Sequence, residues 1–116
     1  MLRGDIIHGD GIGRKYGFPT ANLDCKATQG IGEGVYAGKV YIGDEIYKSA
    51  VAIKINPWKV EAHLLDFPHS DIYGSHAEIE LLQKVSEMER YDNIEELKQK
   101  IRADIELVQH IFEDIS

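Results

Sequence analysis

The spacing of apolar residues in the first half of the chain predicts β-strands. Apolar residues between Leu2 and His8 form a brief run before the glycine-dense stretch GDGIGRKYGFPTANL, so a short strand leading into a long loop is expected. Beyond Gly34, β-branched and aromatic residues stand on both sides of Gly43-Asp44. That composition is typical of two antiparallel strands joined by a tight turn, so the pattern predicts a hairpin.

Two later segments alternate with the period of a strand. Between Lys59 and Phe67 this period places Glu61 beside His63 on one face, with Val60 and Ala62 on the other. The segment from Ser75 to Leu82 separates apolar from acidic residues, with Ala77, Ile79 and Leu81 on a buried face and Glu78 and Glu80 facing solvent.

The last third of the chain changes to a helical period. Apolar residues recur at steps of three and four, at Ile94, Leu97, Ile101, Ile105, Val108 and Phe112. Asp92 with Glu95 three residues later resembles a capping box, so the helix is predicted to begin just after Asp92. Several strands followed by one long helix indicate an antiparallel sheet or barrel with the helix on its outside, in one domain spanning 1–116.

Composition narrows the class of protein. A chain of 116 residues with 43% hydrophobic and 28% charged residues is an ordinary globular domain. Its net charge of −7 argues against nucleic acid or an anionic membrane as a partner. One cysteine, Cys25, cannot form an internal disulfide, the first ten residues do not resemble a signal peptide, and no apolar run is long enough to cross a bilayer. We therefore expect a cytoplasmic protein.

The glycine-dense stretch is a candidate phosphate-binding loop. Glycine lets backbone N–H groups approach a phosphate closely, and basic side chains add compensating charge. The stretch matches neither a Walker A loop nor a Rossmann turn. The candidate residues are Gly9, Gly11, Gly13, Arg14, Lys15, Gly17 and Pro19, followed by Thr20 and Asn22.

Thr20 and Asn22 are candidate ligands for a metal ion. One residue separates them, so in an extended segment their side-chain oxygens lie on the same side and could reach one Mg²⁺, which prefers oxygen ligands. The alternative is a turn in which both side chains bond their own backbone.

Glu61 is a candidate general base. It is a carboxylate in an otherwise apolar strand, and burial would raise its pKa toward the range that suits proton abstraction. The alternative is an outward-facing strand residue with His63 as a solvent-side neighbour. The five histidines do not have the spacing of metal ligands, and the chain has only one cysteine, so the sequence argues against a structural zinc site.

Four motifs, in order, resemble the riboflavin kinase family. The segment from Gly9 to Leu23 resembles the family signature, with Gly-Phe-Pro-Thr-Ala-Asn as its most specific element. The segments Gly34 to Gly38, Glu61 to Phe67 and Ile72 to Gly74 resemble the family's second strand, catalytic strand and following turn. The tail from Tyr91 through Asp104 is similar to its closing helix, so the resemblance covers almost the whole chain.

This resemblance implies a mainly β fold, a six-stranded antiparallel Greek-key barrel with a C-terminal helix. It implies transfer of the ATP γ-phosphate to riboflavin, giving FMN and ADP, with Mg²⁺ as the cofactor. Thr20 and Asn22 would hold Mg²⁺, the loop from Gly9 to Arg14 would hold the phosphates, and Glu61 would take the proton from the ribityl 5′-hydroxyl.

Two departures from the family leave other interpretations open. The connection from Asn56 to Val60 is short and lacks the Thr that commonly follows its Pro, and Val85-Ser86 replaces a common Leu-Arg pair. A flavin- or nucleotide-binding module without turnover is therefore the alternative function. The chain could also be the kinase portion of a bifunctional FAD synthetase, although Met1 favours a stand-alone protein.

Overall fold

The alternating segments form six strands in the computed structural model, which describes residues 1–7, 20–65 and 72–115. The strands are β1 (Leu2–Ile7), β2 (Thr20–Asp24), β3 (Gly34–Ile42), β4 (Glu45–Lys54), β5 (Lys59–Leu64) and β6 (His76–Ser86), and the helix α1 covers Ile94–Ile115. The predicted hairpin is the β3–β4 pair, whose turn contains Gly43 at a φ of 59°. Glycine adopts this left-handed conformation without a steric penalty.

The six strands close into an antiparallel barrel. Their order around it is β1-β2-β5-β4-β3-β6, and β6 also pairs with β1. β3, β4 and β5 are joined as consecutive neighbours, and β6 then returns to lie beside β3, which is a Greek-key connection. The predicted barrel is therefore confirmed.

Apolar side chains from all six strands fill the barrel interior. The buried members are Leu2, Ile6, Ala21, Leu23, Val40, Val51, Ile53, Val60, Ala62, Leu64, Ala77 and Ile79, and Ile72, which precedes β6, packs with them. Space is tight, because a Cβ added at Gly38 would lie 2.9 Å from Val51 Cγ2 and 3.1 Å from the carbonyl oxygen of Glu80. A residue without a side chain lets β3 approach its neighbours at that point.

Helix α1 packs on the outside of the barrel and forms a second apolar layer there. Val108 and Phe112 bury against residues such as Ala50 on β4, and the Lys48 ammonium lies 5.6 Å from the centre of the Phe112 ring. Among the described residues, no helix combines the length and the apolar character needed to cross a membrane.

The predicted start of the helix is wrong by one residue. Asn93, not Asp92, is the cap: its Oδ1 accepts hydrogen bonds from the backbone N–H of Glu95 at 2.7 Å and of Glu96 at 3.4 Å. The helix begins at Ile94, where these bonds satisfy N–H groups that lack a partner within the helix.

Candidate active site

Four polar side chains meet on the outer face of the ladder between β2 and β5. Thr20 lies directly opposite His63, and Asn22 lies directly opposite Glu61. Side chains paired in this way on one face have Cβ atoms about 4.5–5.5 Å apart. Their neighbours Val60 and Ala62 point into the barrel, as the alternation predicts. The register therefore brings three of the candidate residues, from segments far apart in sequence, into one group.

Asn22 has the properties expected of a ligand for a hard cation. Only 6% of its surface is exposed, and its Oδ1 is buried without a hydrogen-bond partner among the described residues. A buried polar atom without a partner is costly, and a divalent cation would satisfy it. Within the same part of the chain no three His, Cys, Asp or Glu side chains are placed to hold a metal ion. The unpartnered Oδ1 of Asn22 therefore suits a hard cation such as Mg²⁺, and Thr20 and Asn22 both lie on a strand rather than in a turn.

Thr20 is hydrogen-bonded to the imidazole opposite it. Its Oγ1 lies 3.1 Å from Nδ1 of His63, and the tautomer of the ring decides which atom donates. His63 is 8% exposed. Burial lowers the pKa of His63, and the charges of Glu61 and Asp104 oppose that effect only in part. The neutral imidazole is therefore favoured near neutral pH.

Glu61 lies at the edge of this group and is held by a lysine. Lys59 Nζ is 2.7 Å from Glu61 Oε1, and the glutamate side chain is 21% exposed. The glutamate is thus half-buried and ion-paired. This differs from the expectation that it is a carboxylate buried in apolar surroundings. The ion pair instead fixes the direction of the carboxylate.

A cleft of about 260 Å³ opens beside Glu61 and His63, between the barrel and the helix. Its floor contains Val35 and Ala52, which follow Glu61 along one row of paired residues on β5, β4 and β3. The other described residues that line it are Lys54, Lys59, Met88, Glu89, Leu97, Lys100, Ile101 and Asp104. Thr20 and Asn22 are not among the described lining residues, and they lie on β2, on the side of Glu61 and His63 away from β4.

The helix side of the cleft carries a buried ionic network. Lys100 Nζ donates to both carboxylate oxygens of Asp104, at 2.8 and 2.9 Å, and to Ser86 Oγ at 2.7 Å. Ser86 in turn donates to Asp104 Oδ1 at 2.7 Å. The side chains of Lys100 and Asp104 are 14% and 8% exposed. Ser86 therefore connects the end of β6 to the helix.

Sequence reasoning did not identify Lys100 and Asp104 as site residues. The signal was present, because Asp104 lies three residues after Ile101 and four before Val108, on the apolar face of the helix. A carboxylate at such a position requires a partner, and Lys100 lies one turn before it. The predicted phosphate loop, comprising Gly9, Gly11, Gly13, Arg14, Lys15, Gly17 and Pro19, lies outside the described residues.

Comparisons with known proteins identify the family that this chain resembles. The family model for riboflavin kinases (Flavokinase) matches residues 1–112. The RNA-binding riboflavin kinase RibR of Bacillus subtilis is 35% identical over 97% of this chain, and the bifunctional riboflavin kinase/FMN adenylyltransferase of Escherichia coli K12 is 34% identical over 89%. The crystal structure of riboflavin kinase from Trypanosoma brucei superposes with a TM-score of 0.71 at 25% identity, over 97% of this chain and 76% of that one.

The chain spans about half of RibR, at 51%, and 35% of the E. coli enzyme. Because RibR is named as RNA-binding, the expectation that this chain binds no nucleic acid stays a prediction, and so does a role within a bifunctional FAD synthetase. The family model nevertheless covers nearly the whole chain, and the barrel with its closing helix matches that of a riboflavin kinase. The chain therefore belongs to the riboflavin kinase family.

Proposed function

We propose that this chain transfers the γ-phosphate of ATP to the 5′-hydroxyl of riboflavin, forming FMN and ADP. One observation carries the proposal: Glu61 lies opposite Asn22 on the β2–β5 ladder and also lines the cleft. A carboxylate in that position adjoins both a candidate cation site and a space that could hold an alcohol substrate.

The cleft suits a flat, largely apolar ring. Val35 and Ala52 on its floor leave room for a planar group, and Leu97, Ile101 and Met88 provide apolar walls. Burying such a ring against these side chains would stabilise it by about 25 cal/mol for each Å² of apolar surface removed from water. We assign the flavin ring to this cleft, with its ribityl chain directed toward Glu61.

Glu61 would act as the general base. Its carboxylate takes the proton of the 5′-hydroxyl while that oxygen bonds to the γ-phosphorus, and the bond from that phosphorus to the bridging oxygen of ADP breaks. Lys59 holds the carboxylate in place through its 2.7 Å contact. Most of the acceleration would come from alignment of the two substrates, because phosphoryl transfer needs little covalent help from the protein.

Thr20 and Asn22 are the residues that would hold Mg²⁺, which would neutralise charge on the ATP phosphates when bound. The unpartnered Oδ1 of Asn22 supports this assignment. The loop from Gly9 to Arg14 would bind the phosphates through its backbone N–H groups.

A second candidate is a module that binds a flavin or nucleotide without turnover. The Lys59–Glu61 ion pair favours it, because an ammonium on one carboxylate oxygen competes with the substrate hydroxyl for that oxygen. Incubation with riboflavin and MgATP, and separately with MgCTP, followed by chromatography for FMN, decides between the two. Formation of FMN supports the kinase, whereas binding of riboflavin with no FMN in either mixture supports the module.

Glu61→Gln tests the assigned base, because it keeps the shape of the side chain and removes its basicity. We expect the turnover rate to fall by about a hundred- to ten-thousand-fold while riboflavin binding is retained. Glu78→Gln is the matched control, since Glu78 is also a strand glutamate in an ion pair, with Arg3, and is not among the residues of the cleft. Unchanged turnover in Glu61→Gln, with chemistry shown to be rate-limiting, would remove Glu61 from the mechanism.

A further inference from the structure

His63 is a buried imidazole to which the proposed reaction assigns no role. It lies on β5 between Thr20 on β2 and Ala50 on β4, so two neighbouring strands fix its backbone. Its Nδ1 lies 3.1 Å from Thr20 Oγ1, and its ring forms part of the cleft wall. The side chain therefore connects the candidate cation ligands to the candidate flavin site.

The chemistry of a hydroxyl ligand assigns the Thr20–His63 hydrogen bond a function in cation binding. When threonine binds a divalent cation through an oxygen lone pair, its hydroxyl proton must point away from the ion. An acceptor on the opposite side of the oxygen holds the proton there, and unprotonated Nδ1 is such an acceptor. Groups that orient a ligand in this way affect metal affinity although they do not touch the metal.

We propose that His63 is a positioning residue whose Nδ1 accepts a hydrogen bond from the Thr20 hydroxyl and so directs an oxygen lone pair of Thr20 toward a divalent cation. The inference rests on the proposed function, because it takes Thr20 as a cation ligand. It adds that the imidazole raises the affinity for the cation without touching the cation.

Two amide substitutions at His63 separate this role from simple packing. Asn places its Oδ1 close to the position of Nδ1 and can still accept from Thr20, whereas Gln carries its amide near the position of Nε2 and loses that contact. Both are polar and uncharged. His76→Asn is the control, because His76 is exposed and contacts Asp5 instead.

The measurement is a titration of the full chain with Mn²⁺ in the presence of ADP, followed by the electron paramagnetic resonance of free Mn²⁺. We expect His63→Gln to weaken Mn²⁺ binding by about 10- to 100-fold, as loss of an orienting partner does elsewhere. His63→Asn should keep most of the affinity, and His76→Asn all of it. Riboflavin affinity, measured by quenching of its fluorescence, should be unchanged in His76→Asn, because His76 does not line the cleft.

The outcomes distinguish failure of the inference from failure of the proposed function. If Thr20→Ala weakens Mn²⁺ binding and His63→Gln does not, Thr20 remains a ligand and the role of His63 is wrong. Equal losses in His63→Asn and His63→Gln also overturn it, because packing alone would explain them. If Thr20→Ala leaves Mn²⁺ binding unchanged, the cation assignment fails and the inference fails with it.

Discussion

Removing one charge from the network of Ser86, Lys100 and Asp104 should destabilise the fold far more than removing both. Asp104→Asn keeps the size of the side chain but leaves the Lys100 ammonium, 14% exposed, without an opposite charge. Lys100→Met likewise leaves the Asp104 carboxylate, 8% exposed, without an opposite charge. A charge held out of water without a partner is strongly unfavourable.

Each single substitution should lower the free energy of unfolding by about 3–5 kcal/mol, the usual cost of breaking a buried pair. The double variant Lys100→Met/Asp104→Asn buries no charge, so its loss should be only about 0–2 kcal/mol. The singles then sum to about 6–10 kcal/mol, which gives a coupling energy of about 4 kcal/mol or more. Ser86→Ala removes only the hydroxyl and should cost about 1–3 kcal/mol.

Urea unfolding of the four variants and the parent, followed by circular dichroism, measures these free energies. Melting provides a check, because each kcal/mol corresponds to about 4 °C in a domain of this size. If Asp104→Asn stays within about 1 kcal/mol of the parent, the charges are better solvated than their burial indicates. If the double variant loses the sum of the two singles, the residues act independently and the network contributes no coupling.

Much of the fold followed from local periodicity. Alternation on β5 predicted that Val60 and Ala62 fill the core while Glu61 and His63 share the other face, and the barrel confirms it. The helix cap was ambiguous for a physical reason. Asp92 and Asn93 each have a glutamate three residues later, so both match the spacing of a capping box. In the structure Asn93 is the residue that caps the helix.

The assembly of the site could not be read from local pattern. Asn22 and Glu61 are opposite one another because barrel closure places β5 beside β2, and this register depends on contacts between segments far apart in sequence. The Lys59–Glu61 pair was readable in principle, since alternate strand residues share a face. The cleft could not be predicted from local pattern, because it lies between the barrel and the helix and depends on how the helix packs against the barrel.

Asn93→Ala should lower the free energy of unfolding by about 1 kcal/mol because two N–H groups of the first helical turn lose their acceptor, whereas Asp92→Ala should change it by less than about 0.5 kcal/mol. Urea unfolding measures both, and the reverse order would restore the cap to Asp92. The metal-free protein should also lose stability as the pH falls below about 6.5, the ordinary pKa of histidine. Because burial lowers the pKa of His63 in the folded state, with Glu61 and Asp104 as the opposing charges, the unfolded chain binds a proton that the folded one does not. One such proton gives a slope of at most about 1.4 kcal/mol per pH unit, and the loss ends once the pH passes below the lowered pKa. Urea unfolding at several pH values measures how the free energy of unfolding depends on pH. This dependence should be shallower in His63→Asn than in the parent. Equal slopes against pH would mean that His63 titrates alike in the folded and unfolded states.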